Sequence, residues 1–210
     1  VPWLAARRVT TPSVTSQIAD DNQRIGSYAA DVNKSASDID RSTAYAKASQ
    51  QCYQSAFTKL VADRKAKTVN DTEGRKRLAE IVSGLKESND LIVAVNGKAS
   101  EDLNNYTQAY EKDLQQVGVQ RNDVVTVATA DATPAVVPAK KGKLTSKVVT
   151  KRPPLPVVPK EAVATERTFQ TAQTKQDESK KVASAGKAQI EGTCRDPNLA
   201  DWAPVPCPNV

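Results

Sequence analysis

The sequence predicts an all-α protein. Its parts are an elongated, coiled-coil-like antiparallel helical hairpin, a third C-terminal helix, an extended Pro/Val-rich linker and a disulfide-closed tail. Three observations predict this. Apolar residues recur every seven positions through two long stretches. No proline falls between Ser13 and Thr133. Most of the prolines are gathered instead into residues 134–160 and 197–208, with Cys194 and Cys207 bracketing all of the second group but Pro208.

Residues 1–12 hold Trp3, Arg7, Arg8 and two prolines and read as an extended N-terminal arm. Trp3 with Leu4 is a candidate anchor to a partner or a lipid surface; the plainer reading is a loose terminus. The chain contains no Met, as expected if it is processed or begins elsewhere.

Residues 13–121 form the hairpin. Ile18, Ile25, Val32, Ile39, Ala46, Tyr53 and Leu60 lie seven apart. A strict seven-residue repeat keeps one seam on one side of a slightly underwound helix. The flanking positions are small: Ala29, Ser35, Ala36, Ser42, Ser49 and Ala56. Such a seam buries little area, so it predicts a narrow contact that a partner would complete, including self-association through this repeat. The second stretch is richer. Leu78, Leu85, Ile92, Ala99 and Tyr106 repeat at seven, flanked by Ile81, Val82, Val95, Leu103, Tyr110 and Val117. Between the two stretches, Asn70 and Glu73 have capping-box spacing. The first helix is expected from about Ser13 to Lys65 and the second from Asp71 to Val117. A helix of ~50 residues is ~75 Å long.

Residues 122–160 are read as an extended basic linker. Val124, Val125, Thr126, Val127 and Thr129 favour extended backbone, as a short strand or a segment laid along a surface. Pro134–Lys160 then holds six prolines, seven basic residues and no acid, while the rest of the chain is close to neutral. Such a chain is polyproline-like and semi-extended. It can be a plain spacer, a strap ordered against neighbouring subunits, or an electrostatic contact. Lys140, Lys141, Lys143, Lys147, Lys151 and Arg152 are its candidate interaction residues. The PxxP spacing of Pro153, Pro156 and Pro159 lacks the flanking basic residue of an SH3 ligand. No aromatics are interleaved as in a single-strand nucleic-acid binder, so nucleic acid is disfavoured as a partner.

Residues 161–192 return to helical composition with a thin apolar stripe of Val163, Phe169, Ala172, Val182, Ala185 and Ile190, and Gly192 marks the expected stop. Residues 193–210 form the tail. Cys194 and Cys207 are the predicted disulfide, which points to an oxidising compartment. Leu199, Trp202 and Val205 make a small apolar cap. Trp202 either locks that end or serves as an exposed binding anchor. Cys52 stands alone in the first helix.

The chain has no His, no GxGxxG and no P-loop. This removes the Ser-His-Asp and Cys-His arrangements, His-ligated metals and the common phosphate cradles. No catalytic residue, cofactor or metal is assigned, and no run of apolar residues is long enough to span a bilayer. The function this predicts is non-enzymatic: a structural or adaptor component of a larger extracytoplasmic assembly, in a bacterial envelope machine or a virion. Its partners are other protein subunits or further copies of itself, with membrane proximity at the N-terminal arm. The alternative is a soluble binding module for an anionic ligand (lipid, glycan or nucleic acid) through the basic linker. The likeness to minor pilus components, phage spanins and envelope lipoproteins is one of architecture only.

Overall fold

The structure, a computed structural model, describes residues 14–132, 155–203 and 207. Among them are four α-helices: α1 (Val14–Lys65), α2 (Asp71–Gln116), α3 (Arg121–Ala132) and α4 (Lys160–Cys194). A short 3₁₀ turn, Ala200–Trp202, follows α4, and no strand is present among the described residues. No described helix is long and apolar enough to cross a membrane.

Helix ends are set by local chemistry. α1 stops where Lys67 takes a left-handed φ of 57°. There the Lys67 amide donates to the Arg64 carbonyl and the Thr68 amide to the Asp63 carbonyl, each at 3.0 Å. The Asn70 side chain then caps α2, accepting from the Glu73 amide at 2.9 Å. α2 stops in the same way at Gly118, whose φ of 73° suits a residue without Cβ.

Two expectations are corrected. Residues 121–132 are helix, not strand or extended chain. Val124 and Ala128, four apart on one face, are both fully buried. The hydroxyls of Thr126 and Thr129 donate back to the carbonyls of Asn122 and Val125 at 2.8 Å. The weak β preference of these residues amounts to tenths of a kcal/mol each, less than the burial gained. Second, α4 does not end at Gly192. Gly192 is exposed, and the helix continues because Thr193 and Cys194 beyond it are buried.

The chain divides into two compact units. The first comprises Val1–Ala30 and Tyr106–Thr168. Its core holds Ile25, Tyr110, Leu114, Val124, Ala128 and Ala162, all fully buried. Polar bonds tie the helices across this core. The Thr165 hydroxyl donates to the Ile25 carbonyl at 3.1 Å, and the Tyr110 hydroxyl to the Ala162 carbonyl at 2.9 Å. Glu166, 2% exposed, accepts two bonds from the Arg121 guanidinium, which also reaches Glu111. Asp113 accepts from both Arg24 and Tyr28.

Burial, and then the negative charge of Glu166, raise the pKa of the Tyr110 phenol well above its ordinary value. The folded state therefore holds this proton more tightly than the unfolded chain does. The contribution is fully present below pH ~10 and is lost as pH rises above it. We expect Tyr110→Phe to flatten the alkaline fall in stability above pH ~10, measured by urea unfolding at stepped pH. An unchanged slope would mean that other tyrosines carry it.

The second unit comprises Asp31–Asn105 and Phe169–Val210. Here α1 and α2 run in opposite directions, paired at Asp63–Arg77 and again where the Tyr53 ring lies over Gly84. α4 runs parallel to α1. Lys47 pairs with Glu178 at 2.6 Å, and Gln50 donates to the Val182 carbonyl at 3.0 Å. One cluster is apolar: Leu60, Leu78, Ile81, Val82, Leu85, Ile190, Leu199 and Trp202. A smaller one joins Ala46, Ile92, Val182 and Ala183. Other buried positions in this unit are polar: Asn89, Asn96, Gln176 and Ser179. Asn89 Oδ1, Asn96 Oδ1 and Ser179 Oγ make no hydrogen bond among the described residues.

Candidate interaction groove and the disulfide-closed end

The sequence-predicted site residues fall into two groups. Trp3, Lys140, Lys141, Lys143, Lys147, Lys151 and Arg152 lie outside the described residues. The C-terminal set is described. Cys194 and Cys207 are disulfide-bonded with Cα atoms 5.9 Å apart. Cys52 is exposed and unbridged.

Trp202 is 4% exposed, so it presents no free surface as an anchor. Its indole packs on the first turn of α2, where a Cβ added to Gly74 would come within 2.5 Å of the ring. The indole N–H donates to Asp71 Oδ1 at 3.1 Å. The Arg64 guanidinium lies over the ring, 4.4 Å from its centroid, and also donates to the Asn198 carbonyl at 2.6 Å and to the Asp201 carboxylate. That hydrogen bond, and then the charge of Arg64, hold the Asp201 carboxyl below the usual carboxylate range. The residues after α4 thus latch the end of α1 to the start of α2. With the two cysteines 13 positions apart, we expect the double change Cys194→Ala/Cys207→Ala to lower unfolding free energy by roughly 3 kcal/mol in urea titrations. A loss near zero would show that the latch holds without the bond.

Between α1 and α2 the second unit carries an open groove of about 400 Å³. α1 contributes Ser35, Asp38, Arg41, Ser42 and Tyr45; α2 contributes Leu91, Val95, Lys98, Ala99 and Asp102. The floor is built of small residues, the buried Ser35, Ser42 and Ala99. Tyr45 is 53% and Leu91 46% exposed, large side chains left without cover. Because the helices are antiparallel, residues of like charge meet across the groove. Lys175 of α4 pairs with Asp40, and its neighbour Gln176 donates to Ser100, which sets α1 residue 40 level with α2 residue 100. Asp38 and Asp102 therefore flank one end of the groove. Arg41 and Lys98 come next, and Tyr45 and Leu91 complete the other end. None of the four charged residues forms an ion pair among the described residues; Arg41 only donates to Ser37 Oγ at 3.3 Å.

Sequence reasoning placed no site in this groove. Its signal was present on α2, where Val95 already flanks the apolar repeat and Leu91, just before Ile92, widens the stripe. On α1 a single Tyr45 between serines gave none. Two further grooves, one lined by Gln50, Gln51, Gln54 and Gln189 and one by Glu111, Gln115 and Arg121, are polar. Among the described residues no three His, Cys, Asp or Glu are grouped to hold a metal ion. Compared with protein-family models, curated proteins and solved structures, the chain matches none of them.

Proposed function

We propose that the protein is a non-enzymatic structural or adaptor component of a larger extracytoplasmic assembly, built on a coiled-coil-like antiparallel hairpin of α1 and α2. The observation that carries this reading is the α1–α2 groove. In the second unit this groove leaves Tyr45 and Leu91 exposed over a floor of small residues. A helix fits such a surface: small floor residues allow close approach, and the large flanking side chains supply the area. The Cys194–Cys207 bond supports an oxidising compartment. The first-helix repeat is not the docking surface in this reading, because Ile25, Val32, Ile39, Ala46 and Leu60 are fully buried within the chain.

The test is a photo-crosslinking residue at Leu91, with the full chain expressed in its source and products identified by non-reducing mass spectrometry. Crosslinks to protein chains, with Cys194 and Cys207 bonded, are the expected result. A groove that crosslinks to nothing, or a chain recovered fully reduced, would overturn the reading.

A further inference from the structure

From the charge order along the α1–α2 groove, we infer that its occupant is a second copy of this chain. The copies meet groove to groove about a two-fold axis perpendicular to the helices. This rests on the reading of the groove as a protein-docking surface and names its partner.

Each wall carries one acid and one base, three or four positions apart: Asp38 then Arg41 on α1, Lys98 then Asp102 on α2. The levels fixed by α4 put the two acids opposite each other and the two bases opposite each other. Within one chain this arrangement is mildly repulsive and leaves all four groups without an ion-pair partner among the described residues. It also makes the groove a dipole, acidic at one end and basic at the other.

A two-fold axis can relate two such grooves face to face in two ways. With the axis along the helices, α1 of one copy faces α2 of the other at the same level. Asp38 then meets Asp102 and Arg41 meets Lys98, so every contact is between like charges. With the axis perpendicular to the helices, α1 faces α1 and α2 faces α2, antiparallel. An axis passing between the acidic and basic levels sets Asp38 against Arg41 and Lys98 against Asp102, each pair made twice. The same mid-level, close to residue 40 of α1 and residue 100 of α2, satisfies both walls at once. These are the levels that Lys175 and Gln176 bring together. Self-complementarity about one point is what an isologous contact demands. The charges then form the centre of the contact, and one Tyr45–Leu91 patch closes on the partner at each end. The ion pairs act mainly through specificity: they select the antiparallel pairing and oppose the parallel one.

The experiment is sedimentation equilibrium of the full, oxidised 210-residue chain. Two charge variants are compared with it. Asp38→Lys/Asp102→Lys makes the rim wholly basic, and Arg41→Glu/Lys98→Glu makes it wholly acidic. The wild type is expected to dimerise, with a dissociation constant that rises with salt. Each variant alone is expected to lose at least ~10-fold in dimer affinity, and an equimolar mixture to recover it as a heterodimer. All four substituted positions border the groove without ion pairs among the described residues, and circular dichroism checks that both variants stay helical. Geometry is read separately in a Cys52→Ser background. Asp38→Cys chains should form mixed disulfides with Arg41→Cys chains and not with Asp102→Cys chains. Preferential bonding between 38 and 102 overturns the perpendicular axis. Dimers indifferent to both charge sets overturn the groove as the self-contact. A monomeric wild type whose Leu91 crosslinks to a different protein overturns the second copy and leaves the assembly reading standing. A groove that crosslinks to nothing overturns both.

Discussion

Trp202→Ala is expected to lower the unfolding free energy by about 3–5 kcal/mol, the range for truncating a buried aromatic to Ala. Against a total stability of ~5–15 kcal/mol, this single change removes a large share. The reason is that Trp202 joins three elements at once. Its ring is 4% exposed and belongs to the main apolar cluster with Leu60, Leu78 and Leu199. It fills the space that Gly74 leaves beside it. Its N–H satisfies Asp71 at the first residue of α2, and Arg64 stacks on its face. Trp202→Phe keeps much of the apolar area but loses the N–H bond to Asp71, so it should lose clearly less. Urea titration followed by circular dichroism measures both. A loss under ~1 kcal/mol for Trp202→Ala would show that the indole does not hold the latch.

Glu166→Ala is the second large effect, with an expected loss of about 3 kcal/mol in the same assay. Glu166 has a side chain 3% exposed and accepts both prongs of the Arg121 guanidinium at 3.0 and 3.1 Å. Removing it leaves a half-buried cation still paired with Glu111, and breaking a buried pair from one side costs about 3–5 kcal/mol. The lower end applies because Arg121 keeps that pair and some contact with water. The discriminating variant is Glu166→Leu/Arg121→Met. Replacing a buried ion pair with apolar residues is often neutral or stabilising, so the double change should recover most of the loss. A double variant as unstable as Glu166→Ala would mean that packing around these side chains, not the unpaired charge, causes the damage.

The parts of the fold that were legible in the sequence are those whose buried faces are apolar. The repeats from Ile25 to Leu60 and from Leu78 to Leu103 mark faces that are buried as expected. α4 shows the opposite case. Its buried face follows a regular three-four spacing: Ala162, Thr165, Phe169, Ala172, Gln176, Ser179, Ala183, Gly186, Ile190 and Thr193. Half of these residues are polar or lack a side chain, so a hydrophobicity pattern shows only a thin stripe. Small and polar residues are used where helices come close: a Cβ at Gly186 would come within 2.5 Å of Asn89 Oδ1. α3 was missed because residue preferences were weighed without the burial of Val124 and Ala128. The groove was missed for a different reason. A charged rim reads as a solvated helix face until antiparallel pairing sets Asp38 opposite Asp102.

The parallel course of α4 beside α1 also fixes an order in time. The bonds that seat α4 on α1 in the second unit join residues 131 to 139 positions apart, from Lys47–Glu178 to Gln50–Gln189. Such long loops must close before any of these contacts is gained. Among the described residues the last core side chain to be synthesised is Trp202. At ~5–20 residues per second, α4 and its latch emerge on the order of 5–20 s after α2 is complete. Through that interval Ala46, Ile92 and Leu85 line a seam with no third helix over it. Closure of this unit therefore waits for residue 202 to be made, and a chain cut short before it never completes it.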